Sequence, residues 1–220
     1  MLSGVSLNNS DENYYLAERK EISVLLPKQY SKVLEIGCGK GGFRKNLSSE
    51  HTYWGVEPVE AIAKLAENNL DKVLVGTYQD IKDLIPNNYF DLVICNDVIE
   101  HIPDHDQFFQ SIKQKMTTDA SLIASIPNVR YIWNLWEVLV KKDWQYKSAG
   151  ILDRTHLRFF TEKSLRRTLK DNAFSIEQWV ELNSYQPLFF RNKIIYSFLL
   201  LLFGRDIKPL QFGVRLKKTD

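Results

Sequence analysis

At 220 residues the chain is long enough for one domain with a sizeable core, and 44% hydrophobic with 25% charged residues excludes a disordered or low-complexity chain. Its two cysteines, Cys38 and Cys95, exclude a disulfide framework and fit a reducing compartment. Net charge is only +2 but uneven: residues 1–140 carry 13 Lys+Arg against 19 Asp+Glu, or −6, whereas residues 141–220 carry 16 against 8, or +8.

Residues 1–10 have neither a basic start nor an apolar stretch, so no secretory leader is expected, and the expected location is the cytoplasm. Residues 11–26 predict a helix, apolar at Tyr15, Ile22, Leu25 and Leu26 and stopped by Pro27. The run VLEI at 33–36 predicts a buried strand, followed by the glycine-rich stretch GCGKGG at 37–42. A second strand at 51–56 ends at Glu57 and Pro58. Residues 61–69 predict a helix, 72–75 a third strand and 89–95 a fourth. Asp104 caps a helix running to about Met116, and 120–126 form a fifth strand. Strands alternating with helices imply βαβ units, a largely parallel sheet wound by helices on both faces, and ligands at the carboxyl ends of the strands. That edge gathers residues 37–42, Glu57, 77–80 and 96–101.

After Pro127 the alternation lapses. Residues 128–160, rich in Trp, Tyr and charge, read as an inserted lid. Residues 161–171 predict a helix capped by Thr161, 174–182 a sixth strand, 188–203 a strongly apolar helix and 210–216 a last strand. The expected organisation is one domain over 1–220, with a cofactor-binding core at 11–127, the lid at 128–160, and the C-terminal helices and last two strands at 161–220.

The glycine loop admits two readings. GCGKGG fits G-x-G-x-x-G, the fingerprint of a dinucleotide such as NAD. Glu35, Gly37, Gly39 and Gly41 also fit E-x-G-x-G-x-G. Glu57, 20 residues beyond Gly37, is placed to hold ribose hydroxyls in either case. Glu35 interrupts an apolar strand, and a buried carboxylate needs a partner. The stretch FDLVICNDVIEHIPD, from Phe90 to Asp104, carries F-D-x-V followed by an acid–histidine turn.

On these motifs the chain resembles class I S-adenosylmethionine (SAM)-dependent methyltransferases, close to the ubiquinone-biosynthesis O-methyltransferase type. SIPNVRYIWNLW and GILDRTHLRFFTEKSLRRTL resemble bacterial polysaccharide-associated methyltransferases. The resemblance implies an α/β, Rossmann-like seven-stranded sheet of order 3-2-1-4-5-7-6 with strand 7 antiparallel. It implies SAM as cofactor, lined by Glu35, Gly37, Cys38, Gly39 and Gly41. Glu57 and Pro58 would lie at the ribose, Thr77, Tyr78 and Gln79 at the adenine, and Asn96 and Asp97 after strand 4. Tyr14 or Tyr15 would close over the carboxylate. The family usually has an acidic residue where Thr77 stands, so Gln79 or Asp80 is the alternative adenine contact. The implied reaction is O-methylation of a sugar or glycan intermediate, with a small aromatic or quinone precursor as the alternative acceptor. An NAD-dependent enzyme and a non-catalytic partner protein are the readings from other classes.

A hydroxyl acceptor calls for a general base, and histidine suits neutral pH. His101, on the binding edge, and His156, in the lid, are the candidates. A histidine that merely braces the loop after strand 4 is the competing role for His101. His51 reads as structural and His105 as solvated. Asp153, Arg154 and Arg158 are the candidate acceptor contacts; an extended segment would put Arg154, His156 and Arg158 on one face. No zinc-like ligand spacing is present and Asp104 is already a cap, so no metal is assigned. The stretch IIYSFLLLLF, from Ile194 to Phe203, is too short to span a bilayer. With the basic C-terminal part it reads as a peripheral contact with the inner membrane surface, suited to a lipid-linked glycan acceptor. No basic helix interleaved with aromatics is present, so nucleic acid is not an expected partner.

Overall fold

The computed structural model describes residues 18–47 and 50–219, and only the backbone of 190 and 191. Tyr14, Tyr15 and most of the expected leading helix lie outside the described residues. The described remainder is a 3-10 turn, Lys20–Leu25, entered through Arg19 at φ 49° and closed before Pro27.

Among the described residues the chain divides into two compact units, one running to residue 94 and including 114–120, the other comprising 95–113 and 121–220. The first is built on β1 (Lys32–Ile36), where Val33, Leu34 and Ile36 are buried. β1 pairs in parallel with β2 (Thr52–Glu57) on one side and β4 (Phe90–Asn96) on the other, and β2 pairs in parallel with β3 (Lys72–Val75). Helix α1 (Glu60–Ala66) buries Ile62, Ala63 and Ala66, and ends three residues short of the expected Asn69. Helix α2 (Tyr78–Ile81) follows β3 directly. It is one turn long, and a hydrophobic period needs more residues than that to register.

Helix α3 (His105–Lys115), all but its last two residues in the second unit, is capped as expected in its first turn: the Gln107 amide donates to Asp104 Oδ1 at 2.9 Å. β5 (Met116–Pro127) begins four residues before the expected Ala120. The insertion after it holds α4 (Ile132–Trp136) and a single π turn, Glu137–Lys141. Its ends are tied together by the Asn128–Phe160 bridge. Helix α5 (Glu162–Asp171) starts with a reciprocal cap: Thr161 Oγ1 accepts from the Ser164 amide at 3.1 Å, and Ser164 Oγ from the Thr161 amide at 2.9 Å. β6 (Phe174–Leu182), α6 (Phe190–Phe203) and β7 (Gln211–Lys218) complete the chain. β7 pairs antiparallel with both β5 and β6. The sheet order is β3-β2-β1-β4-β5-β7-β6, the order and strand-7 direction expected.

Candidate active site

The loop after β1 is shaped by three glycines in left-handed conformations: Gly37 at φ 71°, Gly39 at 52° and Gly41 at 78°. A Cβ on Gly41 would also stand 2.9 Å from Leu70 Cγ, so this position excludes a side chain twice over. Gly42 has no such demand; it opens a 3-10 turn, Gly42–Asn46. The strained glycines are therefore those of E-x-G-x-G-x-G. A dinucleotide loop instead runs into an α-helix whose N-terminus faces the pyrophosphate, and the described residues after Gly41 make only this short turn.

The loop is folded onto the end of β2. The Gly37 and Cys38 amides both donate to the Val56 carbonyl, at 2.8 and 3.0 Å. Glu57, buried at 3% exposure, takes the Gly39 amide on Oε2 and the Val59 amide on Oε1, each at 3.0 Å. Burial pushes its carboxyl above the ordinary value, while those two donors pull it back. Each oxygen keeps a second lone pair for an incoming hydroxyl. Cys38 is buried, and its thiol is driven well above its ordinary value by desolvation. It is a packing group against Gly55, where an added Cβ would meet Cys38 Sγ at 2.5 Å.

Glu35 finds its partner on the neighbouring strand rather than in the loop. β1 and β2 register Glu35 opposite Gly55, so Tyr53 shares its face, and Tyr53 Oη donates to Glu35 Oε2 at 2.8 Å. Full burial pushes the Glu35 carboxyl up to about 8. A carboxyl whose folded pKa exceeds its unfolded value binds more protons when folded. Its contribution to stability is thus complete below the unfolded pKa and is lost as pH rises towards 8. Glu35→Gln is expected to flatten the fall in stability between pH 5 and 8, where each pH unit is worth up to about 1.4 kcal/mol. Urea midpoints taken across that range check it; an unchanged slope would contradict a protonated Glu35.

After β3 the chain turns at Gly76, whose amide donates to the Glu57 carbonyl at 3.0 Å. Thr77 caps α2 and donates to Asp80 Oδ2 at 2.6 Å. Gln79 is exposed, whereas the Tyr78 side chain is buried and packs in the core. The Tyr78 side chain thus packs inward, while Thr77, Gln79 and Asp80 are exposed at the end of β3.

In the second unit, both amide atoms of Asn96 are buried without a hydrogen-bond partner among the described residues. Buried polar groups are costly unless satisfied, so this amide is poised for a ligand. Asp97, at φ 53°, donates its amide to Ser125 and accepts on Oδ1 from Ser125 Oγ at 3.0 Å and Gln211 Nε2 at 2.6 Å. Its carboxylate braces the strand end.

Glu100, His101 and His156 converge: one ligand atom from each lies within 4.8 Å of the others. Glu100 is 1% exposed. His156 Nδ1 lies 2.9 Å from the Ile151 carbonyl, and His101 Nδ1 lies 3.1 Å from that of Thr155. A carbonyl only accepts, so each Nδ1 carries a proton, and a neutral His101 presents a lone pair on Nε2. His156 Nε2 stands 3.8 Å from Glu100 Oε1. Burial lowers the His101 pKa, keeping it neutral near pH 7. The sequence singles out both histidines as bases and offers Glu100 only within an acid-rich stretch that is not assigned a metal. The Glu-His adjacency was visible, but only the fold adds His156, 55 residues along. The set of two imidazoles and a carboxylate suits a divalent cation as well as proton transfer.

The other lid residues are arranged differently from the expectation. The segment is a turn: Asp153 Oδ1 accepts from the Thr155 amide at 2.8 Å and from its hydroxyl at 2.6 Å, and the His156 amide returns to the Asp153 carbonyl. Arg154, His156 and Arg158 therefore do not share an extended face. Arg158 donates to the Pro103 carbonyl at 2.8 Å, and Arg154 is exposed with its amide bonded to the Lys147 carbonyl. No paired guanidinium clamp forms: Asp153 closes the local turn and Arg158 bonds the Pro103 carbonyl. His105 is likewise not solvated: it is half-buried, with Nε2 at 2.9 Å from the Ile99 carbonyl. His51 is structural as expected, its ring edge-on to Tyr53 at 5.9 Å.

A family model described as a methyltransferase domain matches residues 10–178. The mitochondrial ubiquinone biosynthesis O-methyltransferase of Bos taurus is 26% identical over 174 residues, covering 73% of this chain and 45% of that protein. Malonyl-acyl carrier protein O-methyltransferase 1 of Ilyobacter polytropus is 21% identical over 81% of this chain and 69% of its own length. The chain thus spans under half the length of the mitochondrial relatives it matches. Among solved structures, a SAM-dependent methyltransferase from Archaeoglobus fulgidus superposes with a TM-score of 0.66 at 19% identity, covering 94% of both chains. A possible histamine N-methyltransferase from Thermotoga maritima superposes at 0.64 with 21% identity, covering 94% of this chain and 89% of its own. These superpositions show the fold.

Proposed function

This chain belongs to the methyltransferase domain family, and on that premise we propose that it carries a methyl group from SAM to a hydroxyl oxygen. The donor fits the chain. Glu57, held between two amides, is a fixed acceptor for ribose hydroxyls, and the left-handed glycines leave the loop clear of side chains. The unsatisfied Asn96 amide offers a donor and an acceptor to a polar ligand. When bound, SAM supplies an electrophilic methyl sulfonium, so the remaining demands are orientation and removal of the acceptor proton.

The observation that carries the reading is the Glu100–His101–His156 cluster. A neutral His101 with Nε2 free of a backbone bond takes the hydroxyl proton. The imidazolium that results is held by its Nδ1–H bond to the Thr155 carbonyl and favoured by the Asp153 carboxylate. Activity is then expected to fall as pH drops through the lowered His101 pKa. A second reading rests on the same three ligand atoms: a divalent cation held there would lower the acceptor pKa as a Lewis acid. Treatment with EDTA separates them, since activity lost to the chelator and restored by Mg²⁺ or Mn²⁺ belongs to the cation and unchanged activity to the histidine.

For the acceptor, the likeness of SIPNVRYIWNLW and the stretch from Gly150 to polysaccharide-associated methyltransferases supports a sugar or glycan hydroxyl. The relatives named for ubiquinone biosynthesis support a phenolic hydroxyl instead. Methyl-labelled SAM offered with nucleotide sugars, lipid-linked glycans and catechols tests both. Label on a sugar oxygen supports the glycan, label on a phenolic oxygen the quinone precursor. Label appearing only on nitrogen would overturn O-methylation.

A further inference from the structure

Helix α6 is apolar on every side, yet most of it faces outward. Such a helix is ordinarily buried in a core. Among its described side chains only Tyr196 is buried, while Ile194, Ile195, Phe198, Leu201 and Leu202 are exposed, Phe198 by 64% and Leu201 by 84%. Leu188 and Phe189 extend the surface ahead of the helix, exposed by 86% and 72%. Folded monomers rarely carry apolar patches of this kind without a use for them.

The patch is continuous with the lid. The Trp133 ring of α4 meets Tyr185 edge-on at 5.4 Å, and Tyr185 meets Tyr196 of α6 at 5.3 Å. Trp133, Trp136, Leu139 and Val140 are themselves about half exposed. Arg130 fastens the two parts further through Asp206, at 2.7 Å.

The charge around the patch has one sign. No acidic residue occurs between Glu181 and Asp206, whereas Lys193 and Arg205 border α6. Lys142, Lys193 and Arg205 are exposed and carry no ion pair among the described residues. An apolar helix with tryptophans beside it and unpaired cations at its ends is complementary to an anionic lipid surface. Fourteen residues make α6 about 21 Å long, and no described helix is long and apolar enough to cross a membrane.

We infer that α6 and the neighbouring aromatic helix α4 form a docking surface that lies in the plane of an anionic bilayer. The surface serves whichever acceptor the enzyme takes, so the inference does not depend on the acceptor. It is tested by flotation of the full chain with vesicles of phosphatidylcholine alone or with about one-third phosphatidylglycerol. The chain is expected to float with the anionic vesicles at least tenfold more than with the neutral ones, and less as salt is raised. Phe198→Asp with Leu201→Asp, both outward-facing, is expected to abolish flotation while leaving the affinity for SAM unchanged. Lys193→Gln with Arg205→Gln is expected to reduce the preference for anionic vesicles severalfold. Flotation of the double aspartate variant at the level of the parent would overturn the inference. So would a chain that stays unbound and sediments as a dimer, with the dimer abolished by the same substitutions: the patch would then cover a second copy.

Discussion

Glu57→Ala is expected to weaken SAM binding by about 100-fold, equivalent to about 2.7 kcal/mol. The side chain does two things at once. Its two oxygens satisfy the Gly39 and Val59 amides, and so hold the glycine loop against the end of β2. Their remaining lone pairs are open to accept from ribose hydroxyls. Hydrogen bonds to a charged group are worth about 1.5–3 kcal/mol each, and the alanine also leaves two buried donors unsatisfied. Glu57→Gln keeps one acceptor in place and turns the other into a donor facing a donor, so it is expected to fall between the two. Calorimetric titration, with circular dichroism to confirm folding, gives the answer. A loss below about fivefold would contradict the assignment.

His101→Ala is expected to lower kcat by about 10²–10³ with donor affinity unchanged, in the range of a lost general base. His101 also braces the structure, because its Nδ1–H reaches the Thr155 carbonyl and joins the strand-4 turn to the lid. A purely structural role would reduce stability and raise KM without shifting the acid limb of the pH profile. His101→Gln separates the roles, since its amide can keep the Thr155 contact and cannot take a proton. Equal kcat in His101→Gln and the parent would leave His101 as a brace.

β1 and β4 were legible because parallel strands buried on both faces are unbroken apolar runs between turn residues. β6 was legible to the residue, bounded by Ala173 in a left-handed turn and the Asn183 that follows its end. The glycine loop was legible in composition and ambiguous in spacing; φ angles at Gly37, Gly39 and Gly41 against the 3-10 turn at Gly42 decide it. What could not be read depends on register and on long-range contact. The Glu35–Tyr53 bond needs the β1/β2 register. The unsatisfied Asn96 amide is a property of its surroundings. The lid misled because alternating residues suggest an extended chain, whereas Asp153 accepting from Thr155 makes a local turn that competes with it. His105 misled for a related reason: a residue beside a helix cap is usually wet, but the turn preceding α3 brings the Ile99 carbonyl within reach.

Titration of the wild-type chain with SAM and, separately, with NAD tests the whole account most directly, because every assignment around Glu57 and the three left-handed glycines presumes the first ligand. The expected result is saturable binding of SAM at one site per chain, lost in Glu57→Ala, with no heat from NAD. Saturable binding of NAD with none of SAM would return the loop to the dinucleotide reading and remove the basis for methyl transfer.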